Sequence, residues 1–281
     1  MKRLCLIVLA LAVLAASLGV LASALSKVRP GKKVAIVSIQ GAILSSQEVV
    51  EELRGYAKDP SVKAIVLRIN SPGGPVAPAQ EIYQEVKRAS EKKPVVVSMG
   101  SIAASGGYYI ASAATRIVAN PGTITGSIGV IMEIPNIQGL MKKLGIKTVV
   151  IKSGRHKDMA SAFREMSPEQ RRILEELLAD VHEQFVQAVA EGRGMELQQV
   201  KALADGRVFT GRQAKALGLV DALGNLQEAI QLAKELAGIE GEPTIIRKKR
   251  RPSLWRLLGD RARFLTEPMW EGIRIKYIYA P

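Results

Sequence analysis

Apolar and polar positions along this chain fall into three regimes. Leu4–Leu25 is an apolar stretch, mostly Leu, Ala and Val, without a single charge. From Val34 to Ile151 short apolar runs alternate with segments of helical spacing. Val34–Ile39, Val62–Ile69, Val95–Met99, Ile117–Ala119 and Thr148–Ile151 read as strands, with helices expected over about 48–57, 77–90, 108–114 and 137–144. Such alternation implies βαβ units and mainly parallel pairing. From Ser167 the pattern is helical. Ser167-Pro168-Glu169-Gln170 has the form of a capping box with proline at the first helical position. The helix it opens carries Leu174, Leu178, Val181, Phe185 and Val189 on one face, and Gly192 is expected to end it. Shorter helices are expected near 196–204, 211–217 and 226–236. Beyond Gly241 the pattern turns irregular and basic. Three parts follow: 1–29 as a membrane anchor with its juxtamembrane segment, 30–241 as one α/β domain, and 242–281 as a basic tail.

The first regime addresses a membrane. About 20 apolar residues span a bilayer as a helix, and Lys2 and Arg3 precede this run. A retained transmembrane helix is expected rather than a cleaved signal peptide, whose small-x-small site would be Ala22-Ser23-Ala24. The basic pair places the N-terminus in the cytoplasm, although Lys27, Arg29, Lys32 and Lys33 on the far side oppose it. The expectation is a single-pass protein of the cell membrane with its body on the extracytoplasmic side.

Composition narrows the chemistry. With 281 residues, 47% of them hydrophobic, the chain can bury a sizeable core, and its single cysteine excludes a disulfide scaffold. Two histidines and one cysteine cannot fill a zinc shell without several carboxylates, so no metal is expected. The formal net charge of +14 raises nucleic acid as a partner. The basic residues are dispersed, however, and the one dense run, Arg247–Arg251, lacks aromatic neighbours. No nucleic acid is expected; an anionic membrane surface fits better, and plain solvated positive charge accounts for the balance as well.

Two glycine-rich segments carry candidate chemistry. In Ser98–Tyr109, Ser105 is followed by Gly106 and Gly107 where a strand turns into a helix. That turn exposes a hydroxyl above the sheet edge and presents backbone N–H groups to a developing oxyanion. Asn70-Ser71-Pro72-Gly73-Gly74 ends another strand and can aim further N–H groups into the same cleft. A serine nucleophile needs a base. His182 falls in the long helix, at a packing or surface position. His156 and Lys157 stand side by side in a glycine-containing loop, and spacing alone does not choose between them.

Together these stretches resemble the signal peptide peptidase A (SppA) family of membrane-bound serine proteases. The resemblance covers about 33–237. It rests on Arg68–Gly74, Ser98–Ser101 with Ala103–Ile110, Thr125–Val130, Lys152-Ser153-Gly154 with Lys157-Asp158, and Asp205–Gly211. It implies the crotonase/Clp-protease-like ββα spiral fold and a Ser–Lys dyad. By position, it implies Ser105 as nucleophile, Lys157 as general base and Ser127 as the residue orienting the lysine amine. Gly74 and Gly106 are then the oxyanion donors, with Gly73 adjacent. It further implies no cofactor, leftover signal peptides as substrates, a small pocket for residues such as Ala or Leu, and dome-like homo-oligomers. Rival readings are a crotonase-like acyl-CoA enzyme, a Ser–His protease using His156, and a non-catalytic membrane scaffold.

The C-terminal Ile275–Pro281 is apolar and aromatic. It reads either as an extended segment that reaches an active site, in its own or a neighbouring subunit, and is trimmed there, or as a packing strand of the oligomer.

Overall fold

The computed structural model describes Ser17, residues 32–248 and 276–278. The expected anchor, its cleavage site and most of the tail fall outside these residues. Among the described residues no helix is long and apolar enough to cross a membrane.

The strands β1 (Lys33–Gln40), β2 (Val62–Ser71), β4 (Val95–Ala104), β5 (Arg116–Ala119), β6 (Ile124–Gly126), β7 (Val208–Thr210), β8 (Ala222–Leu223) and β9 (Thr244–Arg247) form one sheet, and β3 (Gly73–Pro75) pairs with β10 (Lys276–Ile278) in a second. The main path runs β7-β6-β4-β2-β1-β9, and all its pairings are parallel except β6 with β7. The β1, β2 and β4 runs are buried on both faces, as their continuous Val/Ile/Leu composition requires. Helices α1 (Gln47–Lys58), α2 (Val76–Ser90) and α3 (Gly106–Ser112) cover one side together with α5 (Pro168–Arg193). A second core cluster lies under α8 (Leu226–Leu236), where Ala229, Ile230 and Ala233 meet Val34, Val66 and Val96. The remaining helices are α4 (Gln138–Lys143), α6 (Leu197–Leu203) and α7 (Gly211–Ala216).

β4 decides the architecture. Its first half pairs with β5 and its second half with β6. The handover coincides with a register shift against β2. Asn70 fills that bulge: its Oδ1 accepts the Ile102 N–H at 3.3 Å and lies where a Cβ on Gly100 would be, 2.7 Å from it. The strand expected to stop at Met99 therefore continues to Ala104, and delivers residue 105 to the sheet's edge.

Three expectations change. Thr148–Ile151 forms no strand; Val149 is 85% and Ile151 96% exposed, so this β-branched run has no partner strand among the described residues. α5 runs past Gly192 to a left-handed C-cap at Gly194. A Cβ on Gly192 would overlap the Ser112 carbonyl, so this glycine serves helix packing rather than termination. Thr244–Arg247, expected to be irregular, adds an edge strand beside β1 because its β-branched residues suit that position.

Candidate active site

The parallel register of β4 and β6 sets Ala104 opposite Gly126. The residue after each is a serine, so Ser105 and Ser127 emerge together at the same end of the sheet. The Ser105 N–H donates to the Gly126 carbonyl at 2.8 Å, and the Ser127 N–H to the Arg207 carbonyl at 2.8 Å. Among the described residues they are the only non-glycine positions with positive φ, at 52° and 50°. Such backbone costs on the order of 1–3 kcal/mol at each position and gathers at functional sites. Ser105 caps α3 with ψ −117° and is 1% exposed. Its Oγ is buried without a hydrogen-bond partner. A buried polar atom in that state calls for an explanation.

The Asn70–Gly74 turn lies against this serine. The Gly73 N–H donates to Ser71 Oγ at 3.1 Å, and the Gly73 carbonyl accepts from Ile43 N at 2.9 Å. Gly73 sits at φ +105°, and a Cβ there would stand 2.8 Å from the Gly106 nitrogen and overlap the Tyr277 carbonyl oxygen. A Cβ on Gly106 would be 3.3 Å from the Gly74 nitrogen and 3.2 Å from the same Tyr277 oxygen. Gly74, Gly106 and one carbonyl oxygen of the C-terminal segment thus meet in one small volume. Of the three glycines marked by the sequence, Gly73 has its N–H engaged locally.

That C-terminal segment is the feature the sequence only hinted at. β10 lies antiparallel to β3, with Lys276 opposite Pro75, Tyr277 opposite Gly74 and Ile278 opposite Gly73. On its other side Lys276 exchanges both backbone hydrogen bonds with Ile131, each 3.1 Å. An extended peptide is thus held from both edges. Tyr277 is fully buried. Its ring stacks on Tyr109, with centroids 5.2 Å apart, and leans on Phe185 at 4.7 Å; its hydroxyl donates to the Val181 carbonyl at 3.0 Å. Tyr83 backs Tyr109 at 4.8 Å. Burial pushes the Tyr83 and Tyr109 hydroxyls up to about 12, so both remain neutral. Sequence reasoning missed this pocket because its walls come from α2, α3 and α5 and only the fold unites them.

The structure does not bring either candidate base to Ser105, whose Oγ touches no partner. The Lys157 side chain is exposed. His156 is half-buried: its Nε2 accepts from Arg155 Nε at 3.3 Å, and its Nδ1 is buried without a partner. Both belong to a stretch, roughly 132–166, that also exposes Leu140, Leu144, Ile146, Val149, Ile151 and Phe163. Within it, Asp158 is held by Arg164 and Lys152, which keep its carboxyl well below the usual range. His182 directs Nε2 to the Ala204 carbonyl at 2.8 Å, in keeping with a packing role. Among the described residues no group of three or more His, Cys, Asp or Glu is placed to hold a metal ion.

This arrangement has relatives. Residues 87–240 match the profile of Peptidase family S49, a stretch that includes Ser105, Ser127 and Lys157. The chain belongs to peptidase family S49. The profile of Clp protease matches residues 32–123, which span the Gly73-Gly74 turn and Ser105. This S49 chain is 45% identical over 210 residues to a putative protease of Synechocystis, covering 74% of the chain and 76% of that protein. It is 34% identical over 218 residues to the putative signal peptide peptidase SppA of Enterococcus faecium, covering 73% of the chain and 63% of the relative. It is 36% identical over 234 residues to Protease 4 of Salmonella typhi, covering 77% of the chain. It spans only 38% of that longer S49 protein. The mixed α/β fold expected from the SppA resemblance is the one observed.

Proposed function

We propose that the chain is a membrane-anchored serine endopeptidase that hydrolyses peptides, remnant signal peptides among them, through a dyad of Ser105 and Lys157. The observation that carries this reading is the buried, unpartnered Ser105 hydroxyl beside glycines packed against the carbonyl of a seated peptide segment. Ser105 Oγ attacks the carbonyl carbon of the scissile bond while the Lys157 amine takes its proton. Gly74 and Gly106 donate to the oxyanion, each such donor being worth about 3–4 kcal/mol. Gly73 keeps the space open. The tetrahedral intermediate expels the amine, which leaves with the proton carried by Lys157. Water, deprotonated by the same amine, then hydrolyses the acyl-enzyme. Ser127, beside Ser105, orients the amine. A lysine base works only when neutral. These steps require no cofactor.

Lys157 reaches Ser105 in an assembly of several copies. The exposed apolar residues around it are what an intersubunit contact would cover, and a homo-oligomer, dome-like at the extracytoplasmic face of the cell membrane, accounts for them. The test is complementation. Ser105→Ala and Lys157→Ala chains, each inactive alone, are dissociated, mixed and reassembled. Recovered peptidase activity in the mixture supports a dyad built between copies; none recovered, with oligomers formed, overturns it. A Ser–His alternative rests on the buried Nδ1 of His156, and comparing Lys157→Ala with His156→Ala separates the two bases.

A further inference from the structure

Ser105 and Ser127 leave the sheet from two strands that pair at only Ile102 with Ile124, Ala103 with Thr125 and Ala104 with Gly126. So short a ladder holds its register weakly through the backbone alone, and a slip of one residue turns every side chain to the other face. Two buried side chains supply what the ladder lacks. The Thr125 hydroxyl donates at 2.7 Å to the carbonyl of Ala103, the residue it stands opposite. The Thr123 hydroxyl donates to the Gly100 carbonyl, also at 2.7 Å. We infer that Thr125 is a positioning residue, whose hydroxyl fixes Ser127 against Ser105. This rests on the proposed peptidase reading and adds to it the group that sets one serine relative to the other.

Thr125 acts where a displacement has nowhere else to go. Ala103 lies two residues before Ser105, and Thr125 two residues before Ser127. Beyond that bond the Ser105 N–H closes on the Gly126 carbonyl at 2.8 Å. Ser127 is pinned on its other side as well. Its N–H is held by the Arg207 carbonyl at 2.8 Å, and the Ile128 carbonyl accepts the Gly206 N–H at 3.1 Å. β7 closes the far edge, with Phe209 opposite Thr125. The Phe209 ring also packs on Gly126, where a Cβ would stand 2.6 Å from it. Both serines hold positive φ, a backbone state that persists only where the surroundings over-determine it. The Thr125 hydroxyl ties the two strands directly before both turns.

Thr123 provides an internal comparison. It has the same chemistry, the same bond length and equivalent burial. Its acceptor, however, lies between Met99 and Ala103, where the register of β4 against β2 already shifts. A displacement at Gly100 is taken up by that bulge before it reaches Ala103. Removing either hydroxyl therefore costs similar stability, and only removal at 125 reaches the two serines.

The experiment uses the full chain and compares Thr125→Val, Thr125→Ala, Thr125→Ser and Thr123→Val with the wild type. Valine keeps the branched shape and removes only the hydroxyl. Alanine makes the same removal with room to spare, so a poorly packed valine does not decide the result. Peptide hydrolysis gives kcat and KM separately, a fluorophosphonate probe reads the labelling rate of Ser105, and thermal unfolding reads stability. Thr125→Val and Thr125→Ala should lose about tenfold to hundredfold in kcat and in labelling, the scale of a sub-ångström misplacement, with KM unchanged. Thr125→Ser restores the donor and should recover most of the loss. Thr123→Val should show the same fall in Tm and keep its kcat. In a Ser127→Ala background, Thr125→Val should slow labelling by about twofold at most, because both changes act through one group. Equal kcat in the Thr125 and Thr123 variants, with Ser105→Ala inactive, overturns the positioning role and leaves the peptidase reading standing. An undiminished further loss in the Ser127→Ala background overturns it too. A Ser105→Ala chain that still cleaves peptide overturns both.

Discussion

Replacing Gly73 by alanine tests the proposed oxyanion geometry. The backbone there has φ +105°, which an L-residue adopts at a cost of about 1–3 kcal/mol. At roughly 2–4 °C per kcal/mol for a domain of this size, the strain alone lowers Tm by roughly 2–12 °C. The new methyl also stands 2.8 Å from the Gly106 nitrogen and overlaps the carbonyl oxygen of a seated peptide. Neither neighbour is a flexible side chain that can swing aside. Relief comes only by moving the Gly106 N–H or the substrate carbonyl, and losing one oxyanion donor costs about 100- to 1000-fold in kcat. Gly41→Ala is the control: φ is +67°, and a Cβ there meets nothing within 4 Å. It carries comparable strain with no clash at the site. Peptide hydrolysis and thermal unfolding are measured on both variants. Gly41→Ala should lose a few degrees and keep its kcat, whereas Gly73→Ala should lose both. A Gly73→Ala enzyme within threefold of wild-type kcat would refute the placement of the carbonyl between Gly73 and Gly106.

Three further outcomes follow from the same structure. Tyr108 is fully buried and donates to the Leu219 carbonyl at 2.9 Å, so Tyr108→Phe should lower stability by about 1 kcal/mol, read as a Tm drop of a few degrees; an unchanged Tm contradicts the bond. Asp158 is depressed by Arg164 and Lys152, and Asp205 by Arg207 to about 2, so the stability they contribute is complete above the ordinary carboxylate pKa and fades as pH falls from about 4 towards 2. The Tm gap between wild type and Asp158→Asn should therefore narrow across that range, and a gap as wide at pH 2 as at pH 7 argues against it. If the Tyr277 carbonyl sits where bonds are cut, intact mass spectrometry should find wild-type chains ending at Tyr277 while Ser105→Ala retains Pro281. Equal masses would sink the trimming.

Much of the sheet was legible because its strands are buried on both faces and so appear as continuous Val/Ile/Leu runs, as in Val62–Ile69 and Val95–Met99. The capping box at Ser167 and Gln170 was legible for a local reason: both hydrogen bonds close within four residues. The short strands β6 and β7 were not, since three-residue segments carry no period and exist only through pairing. Thr148–Ile151 misled because β-branched composition states a preference for strand without supplying a neighbour. At the site, Ser105, Gly73, Gly74 and Gly106 stood out because turn chemistry is written in contiguous residues. Ser127 came through family resemblance alone, and its adjacency to Ser105 depends on the Ala104–Gly126 register. The Tyr277 pocket had no sequence signal, because its walls are far apart along the chain and each reads as an ordinary core aromatic.

The central claim is that Ser105 works with Lys157, and the direct measurement is hydrolysis of a peptide substrate by the full-length wild type, Ser105→Ala, Lys157→Ala and His156→Ala from pH 6 to 10. The account predicts that Ser105→Ala and Lys157→Ala fall to background at every pH while His156→Ala keeps its activity. An active Lys157→Ala enzyme beside a dead His156→Ala enzyme would contradict the dyad and put a Ser–His pair in its place.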